Sequence, residues 1–195
     1  MQYTEKLELE ECTIDASFHQ KDREGLLITY TFRNRSPKRA YLFNRLYDYV
    51  DEDAVFHTDP HLVYVEVERQ KLVLGKKIVA VPPNTLVEKR IVPCLTVVPP
   101  GGEFKESFTI PLPLRPYNPY VSIAEETLPL STVDCEAWFE LGFFLGAYTS
   151  DDFAKRVRTR EGEALYFGSF PIGSQRIMRV GPLSWKVPAR VSSSG

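Results

Sequence analysis

The sequence Val-Val-Pro-Pro-Gly-Gly-Glu-Phe-Lys-Glu-Ser-Phe-Thr-Ile-Pro-Leu-Pro-Leu spans residues 97–114 and joins a tight turn to a strand of alternating character. One face of this strand carries Phe104, Glu106, Phe108, Ile110, Leu112 and Leu114. The other face carries Lys105, Ser107, Thr109, Pro111 and Pro113. Such alternation is typical of an antiparallel sheet with one face in a core and the other in water. Because Pro111 and Pro113 lack N–H groups on the same side, the end of the strand should lie at a sheet edge or leave the sheet.

Short strands separated by turns account for most of the remaining chain. Alternation predicts them within residues 7–18, 26–32, 40–50, 62–68, 72–81, 138–148, 164–170 and 183–191. The composition agrees, because 15 Pro, 12 Phe and 10 Tyr favour strands and turns over helices. No repeat or low-complexity linker divides the chain. We therefore predict a single β-sandwich domain over residues 1–191, followed by a disordered tail at 192–195.

One segment carries a helical pattern instead. Asp151 and Asp152 stand where acidic residues favour a helix N-terminus, and Phe153 and Val157 have the i,i+4 spacing of a helix face. Basic residues follow, and Gly162 is a suitable terminator. The pattern predicts one short helix near 151–161.

Three segments recur in an order known from another group of proteins. They are Leu27-Ile28-Thr29-Tyr30-Thr31-Phe32-Arg33-Asn34-Arg35-Ser36, Tyr47-Asp48-Tyr49-Val50 and Val98-Pro99-Pro100-Gly101-Gly102-Glu103-Phe104. Over about half the chain this order resembles bacterial immunoglobulin-like β-sandwich domains of the intracellular proteinase-inhibitor type. The resemblance implies an all-β, antiparallel immunoglobulin-like β-sandwich, with proteinase inhibition as a function by analogy. The chain departs from that pattern in its long stretch 57–97 and in its continuation to residue 195.

Charge and cysteine content restrict the partners. The formal net charge is −2, so no global field attracts a polyanion and we expect no nucleic-acid partner. The acidic N-terminus lacks the apolar region of a signal peptide, and no apolar run is long enough to span a bilayer. The three cysteines form no CxxC pair. We expect a cytoplasmic protein with no membrane association and no cofactor.

The segment 48–68 concentrates acidic and imidazole side chains. As metal ligands its candidates are His57, His61 and Asp59. Two histidines four residues apart converge on one metal when they lie on a helix, but Pro60 between them and the strand-like flanks oppose a helix. A solvated connection between strands is the favoured interpretation. The alternative is a metal-dependent or carbohydrate-processing enzyme whose site forms around Asp48, Asp53 and the two histidines.

Rigid aromatic residues near a long loop suggest another kind of site. The candidates are Tyr117, Tyr120, Phe144 and Tyr148. Tyrosines flanked by prolines lose little conformational entropy when they become ordered, and they therefore suit an interface anchor. The alternative is that the loop folds back and covers an open end of the sandwich. The sequence contains no nucleophile elbow, P-loop or dinucleotide-binding motif. Our leading hypothesis is therefore a non-enzymatic protein-interaction or scaffolding module that binds a protein partner through loop 115–129.

Overall fold

Strands make up nearly all the regular structure of the chain. A computed structural model describes residues 1–9, 11–21, 24–83, 85–121, 130–146 and 151–192. The strands are β1 (Gln2–Leu9), β2 (Cys12–Lys21), β3 (Gly25–Asn34), β4 (Ala40–Arg45), β5 (Tyr47–Val50), β6 (Val55–Thr58), β7 (Tyr64–Glu68), β8 (Lys71–Lys76), β9 (Cys94–Val98), β10 (Glu103–Pro111), β11 (Leu130–Leu145), β12 (Lys155–Thr159), β13 (Gly162–Tyr166), β14 (Arg176–Val180) and β15 (Val187–Ser192). A 3-10 turn covers Ile172–Ser174. The all-β prediction is confirmed. Within the described residues, no helix has the length and apolar character needed to cross a bilayer.

The smaller sheet is antiparallel throughout and has the order β1-β2-β3-β10. Its residues alternate as predicted, with Phe108 and Ile110 buried and Lys105 and Thr109 exposed. Strand β10 occupies one edge of this sheet. The expectation that Pro111 marks an edge is therefore confirmed.

The larger sheet is mixed, so the prediction of purely antiparallel pairing is wrong for this part of the fold. Its strands follow the order β5-β6-β12-β13-β9-β4-β11-β8-β7, and β14 and β15 also pair with β11. Strand β8 runs parallel to β11, and β6 runs parallel to β12. Strands far apart in the chain can pair in parallel because the intervening chain provides the crossover. Residue alternation is the same in both kinds of pair and does not reveal the direction.

Two apolar cores lie on opposite faces of the larger sheet. One core fills the space between the two sheets, where Phe139 of β11 contacts Phe18, Tyr30 and Phe108 of the smaller sheet. The other core is rich in aromatic rings and is enclosed where the larger sheet curls. Strand β4 serves both cores, because Ala40 to Asn44 are all buried. This double burial explains its nearly continuous apolar sequence.

The predicted helix near 151–161 is wrong. Residues of this segment form β12 and then β13, which pair as an antiparallel hairpin with Val157 opposite Ala164. The carboxylate of Asp151 does not cap a helix; it accepts hydrogen bonds from the Tyr41 hydroxyl at 2.6 Å and from Arg39 at 3.0 Å. Partners distant in the chain thus outweighed the local helical pattern.

Two of the segments that resemble immunoglobulin-like domains meet in space. The amide of Asn34, at the end of β3, donates hydrogen bonds to the carbonyls of Lys38 (2.7 Å) and Val98 (3.0 Å). Its backbone exchanges hydrogen bonds with the turn, since Gly101 N–H donates to Asn34 O at 2.9 Å and Asn34 N–H donates to Gly102 O at 3.0 Å. Gly101 has a φ of 71°, a conformation that glycine adopts without strain. The side chain of Asn34 therefore fixes the turn that begins β10.

Candidate functional site

A carboxylate lies on the apolar face of β10, among residues that face the core. The alternation places Glu106 on the same side as Phe104 and Phe108, and the structure confirms this position. Only 13% of the Glu106 side chain is exposed. A carboxylate in such a position needs partners, because transferring an unpaired charge from water to an apolar interior is costly.

The first partner is a lysine with no exposed surface. Lys76 ends β8, where it shares a face with Leu72 and Leu74, and its side chain is 0% exposed. Its Nζ donates hydrogen bonds to Glu106 Oε1 and to the carbonyl of Pro60, both at 2.8 Å. The same atom lies 4.1 Å from the centroid of the Phe108 ring, within the range of a cation–π contact. Burial lowers the pKa of Lys76 below its ordinary value, and the charge of Glu106 opposes that shift.

Two further side chains bind the other oxygen of the carboxylate. The Tyr30 hydroxyl donates to Glu106 Oε2 at 2.5 Å, and the Asn44 amide donates to the same atom at 3.4 Å. Burial, reinforced by the negative charge of Glu106, raises the pKa of Tyr30 well above its ordinary value. Tyr30 is therefore a hydrogen-bond donor near neutral pH. The network joins four strands of the two sheets, with Tyr30 on β3, Asn44 on β4, Lys76 at the end of β8 and Glu106 on β10.

A cavity of about 340 Å³ opens above this network. Its walls come from four strands, β4, β6, β9 and β10, and from two connecting segments. They consist of Asn44, Arg45, Thr58, Asp59, Pro60, Thr96, Phe104, Glu106 and Glu161. Two buried oxygen atoms in these walls, Asn44 Oδ1 and Thr58 Oγ1, have no hydrogen-bond partner within the described residues. An unpartnered buried acceptor is unusual in a folded protein, and a water molecule or a ligand can supply the missing donor.

The charges around the cavity are mainly acidic. Asp59, Glu106 and Glu161 contribute three carboxylates, and Arg45 is the cation in the walls. The guanidinium of Arg45 is already engaged, since it donates to Glu161 Oε2 at 3.1 Å and to Thr159 Oγ1 at 3.2 Å. The oxygen atoms of the walls are therefore mainly acceptors, and the hydroxyls of Thr58 and Thr96 can also donate.

The aromatic candidates Tyr117 and Tyr120 lie beside a small third apolar cluster that contains Tyr64 and Val79. Tyr117 and Val65 exchange two backbone hydrogen bonds of 2.9 Å, which covers the edge of β7. The Tyr120 hydroxyl accepts a hydrogen bond of 2.8 Å from the N–H of Ile91. Both rings are half-buried, so the segment before residue 122 packs against the protein.

The other two aromatic candidates lie elsewhere. Phe144 is 8% exposed and stacks on Tyr41 with ring centroids 4.8 Å apart, so it offers little surface to a partner. Tyr148 falls outside the described residues, as do residues 122–129 of the loop and 193–195 of the predicted tail.

The histidines of the acidic segment have separate partners. His57 Nε2 lies 2.7 Å from Asp51 Oδ2, and its ring stacks on Tyr49. His61 Nδ1 lies 2.9 Å from Thr109 O and 3.3 Å from Thr109 N, at the edge of β10. Asp59 accepts a hydrogen bond of 2.8 Å from the backbone of His61. Among the residues that the structure describes, no three or more His, Cys, Asp or Glu side chains are grouped to hold a metal ion.

Lys76, Tyr30 and Asn44 were not predicted as site residues from the sequence, although it contains two signals of them. A glutamate between Phe104 and Phe108 on a buried face requires a cation or several donors. A lysine in register with Leu72 and Leu74 is the complementary signal. Pairing these two residues requires knowledge of which strands are adjacent, and alternation does not provide it.

The geometry of the site is the sole guide to what it binds. Comparison of the chain with protein-family models, with curated proteins and with solved structures found no match.

Proposed function

We propose that this protein is a non-enzymatic interaction module, and that its cavity above Glu106 receives a basic side chain of a protein partner. The observation that carries the proposal is the set of acceptors in the cavity walls. Asn44 Oδ1 and Thr58 Oγ1 have no partner within the described residues, and the carboxylates of Asp59, Glu106 and Glu161 line the same cavity. Glu106 is paired with Lys76 and Glu161 with Arg45, so Asp59 is the carboxylate of the walls without a cationic partner among the described residues. The ammonium group of lysine and the guanidinium group of arginine consist only of donors and match such walls.

The shape of the cavity suits such a group. A volume of about 340 Å³ lies at the small end of the range of ligand sites. Phe104 provides an aromatic surface in one wall, against which a cation is attracted. The partly buried carboxylates interact with a cation more strongly than exposed ones, because solvent screens them less.

The reactive groups of the site support binding over catalysis. Lys76 is fully buried and its ammonium is held by Glu106 and Pro60, so it is not accessible as a nucleophile. The raised pKa of Tyr30 keeps its hydroxyl protonated near neutral pH, so no phenolate is available to act as a base. Immunoglobulin-like connectivity remains part of the proposal, as does a reducing, cytoplasmic compartment, which is supported by three free, buried thiols.

The proposal predicts that a guanidinium group binds where a neutral isostere does not. Acetyl-arginine amide and acetyl-citrulline amide differ mainly in charge and are titrated separately into isotopically labelled protein. We expect the arginine compound to shift the NMR signals of Thr58 and Thr96, with a dissociation constant on the order of millimolar for so small a probe. Citrulline amide should leave these signals in place.

Matched variants test the role of the acidic walls. Asp59→Asn combined with Glu161→Gln removes two charges from the cavity and should abolish the arginine-induced shifts. Glu163→Gln removes one charge from a side chain that is 67% exposed and does not line the cavity, so binding should persist. Equal shifts with citrulline amide, or unchanged binding by the double variant, would contradict the proposal.

A further inference from the structure

A second concave surface lies next to the cavity and has the opposite charge at one end. This groove has a volume of about 540 Å³ and shares Asp59 with the cavity. Its middle is lined by the apolar residues Leu62, Val63, Val65, Ile110, Leu112 and Leu114. Arg115 and Arg190 line it as well, and we refer to these two residues as the arginine pair.

The backbone places the arginine pair side by side. Leu114 and Ala189 form a parallel bridge, with Leu114 N–H donating to Pro188 O at 2.9 Å and Arg190 N–H donating to Leu114 O at 2.7 Å. Residues next to a parallel bridge continue the same register, so Arg115 and Arg190 are neighbours across the two segments. Leu114 and Ala189 are buried, whereas Arg115 is exposed and Arg190 is partly exposed, and both arginines line the groove.

Neither guanidinium of the pair forms an ion pair with a carboxylate in the described part of the chain. Two like charges at adjacent positions repel one another and destabilise the pairing of the strands. An anion between them would remove the repulsion, and a carboxylate suits the position because a guanidinium can donate two parallel hydrogen bonds to it. The groove therefore combines an anion-binding end with an apolar channel.

The backbone of the groove favours an aliphatic chain over an added β-strand. A peptide that binds as an added strand is held mainly by hydrogen bonds to free backbone groups. Here Pro111 and Pro113 have no N–H, Val65 has both backbone groups engaged by Tyr117, and Leu112 N–H donates to Glu24 O at 3.0 Å. An aliphatic chain needs no such groups and gains from contact with apolar walls.

From these observations we propose that the groove binds a straight-chain aliphatic carboxylic acid, with its carboxylate between Arg115 and Arg190 and its chain along Leu112 and Leu114. This site is independent of the proposed function of the neighbouring cavity. It assigns a role to the two prolines that follow the alternating part of β10, because they close the backbone of the groove to hydrogen bonding.

Isothermal titration calorimetry tests the proposal with decanoate as the probe, at concentrations below its micellar range. We expect one decanoate to bind per chain. Decanol, which has the same chain and no charge, should bind about tenfold more weakly or worse. A decapeptide that ends in leucine tests a peptide C-terminus as the source of the carboxylate. Failure of decanoate to bind, equal binding of decanol or tighter binding of the peptide would each overturn the proposal.

The variants Arg115→Gln and Arg190→Gln locate the carboxylate, and both side chains lie at the protein surface where substitution is tolerated. Each should weaken decanoate binding by about tenfold while leaving decanol binding unchanged. Arg156→Gln is the matched control, since its guanidinium is 75% exposed on β12 and does not line the groove. Wild-type affinity in both groove variants would place the anion elsewhere and overturn the proposal. Circular dichroism of each variant ensures that a loss of binding is not a loss of folding.

Discussion

Glu106 and Lys76 form a buried ion pair on which the stability of the protein should depend strongly. Each would be a buried charge without the other, and Tyr30 and Asn44 supply the remaining hydrogen bonds. A buried ion pair is weak support for stability when compared with an apolar pair of the same shape. Removing only one of the two charges strongly destabilises the fold, because the other charge then stays buried without a partner.

The pair predicts a strongly non-additive double-mutant cycle. Lys76→Met and Glu106→Gln approximately preserve shape, and each should lower the free energy of unfolding by about 3 to 5 kcal/mol. The double variant should lose much less than the sum, because no unpaired charge remains. The free energies of unfolding of the wild type, the two single variants and the double variant are measured by urea unfolding at pH 7.

The exposed pair Arg156 and Glu163 provides the control cycle. Their side chains are 75% and 67% exposed, and their contact is 3.4 Å. Coupling between Arg156→Met and Glu163→Gln should be close to zero. Additive effects in the Lys76 and Glu106 cycle would show that the two side chains do not depend on each other.

Strand β11 is the element on which the larger sheet is organised. It pairs with β4, β8, β14 and β15 at different places along its length. Glu140 lies opposite Arg179 of β14, and its carboxylate also accepts a hydrogen bond of 2.5 Å from Lys77, just beyond β8. One carboxylate therefore links the chain on both sides of β11.

This linkage predicts a specific sensitivity to acid. Burial raises the pKa of Glu140, but Lys77 and Arg179 outweigh burial and hold the pKa below its ordinary value of 4.5. Because the pKa is lower in the folded state, the contribution of Glu140 to stability is complete above about pH 4.5 and is lost as the pH falls through the folded-state value. Glu140→Gln should therefore cost about 2 kcal/mol at pH 7 and progressively less at lower pH.

Urea unfolding between pH 7 and pH 3 measures that difference. Glu103→Gln removes an exposed carboxylate of β10 and serves as the comparison, with an expected effect near zero at every pH. A difference between wild type and Glu140→Gln that does not change with pH would rule out the ion pairs as its origin.

For the strands, the sequence predicted which face of a strand is buried but not which other strands it pairs with. The alternation of β3 and β10 predicted their buried sides, including the inward position of Glu106. The parallel pairs β6–β12 and β8–β11 could not be predicted, because alternation is the same whatever the partner. The helical pattern at 151–161 failed because Asp151 binds Tyr41 and Arg39. The candidate cavity was missed for a similar reason, since its walls come from strands far apart in the chain.

At the scale of the whole molecule, the two larger cores of the described residues share β4 and β11. Cys12 lies in the core between the sheets and Cys94 lies in the aromatic core. Burial raises the pKa of Cys12 to about 11 and that of Cys94 to about 12, so neither thiol reacts readily in the folded state. The two thiols therefore report separately on the opening of the two cores.

Because the two cores share β4 and β11, we predict that they unfold together. Brief labelling with a thiol reagent at increasing urea, followed by mass spectrometry, gives one midpoint for Cys12 and another for Cys94. We expect the midpoints to coincide, because opening either core exposes residues of β4 that the other core also buries. Labelling of Cys94 at distinctly lower urea would show that the aromatic core unfolds independently and would contradict the single-domain prediction.

The contact between His61 and Thr109 affects how copies of the protein meet in concentrated solution. Thr109 lies in an edge strand, and the free backbone of an edge is a template for another chain. The imidazole of His61 covers the outward N–H and C=O of Thr109, and Pro111, two residues further along, offers no N–H. Side-by-side strand pairing between molecules is thereby blocked at this end of β10. The imidazole of His61 thus hinders aggregation by strand pairing at this edge.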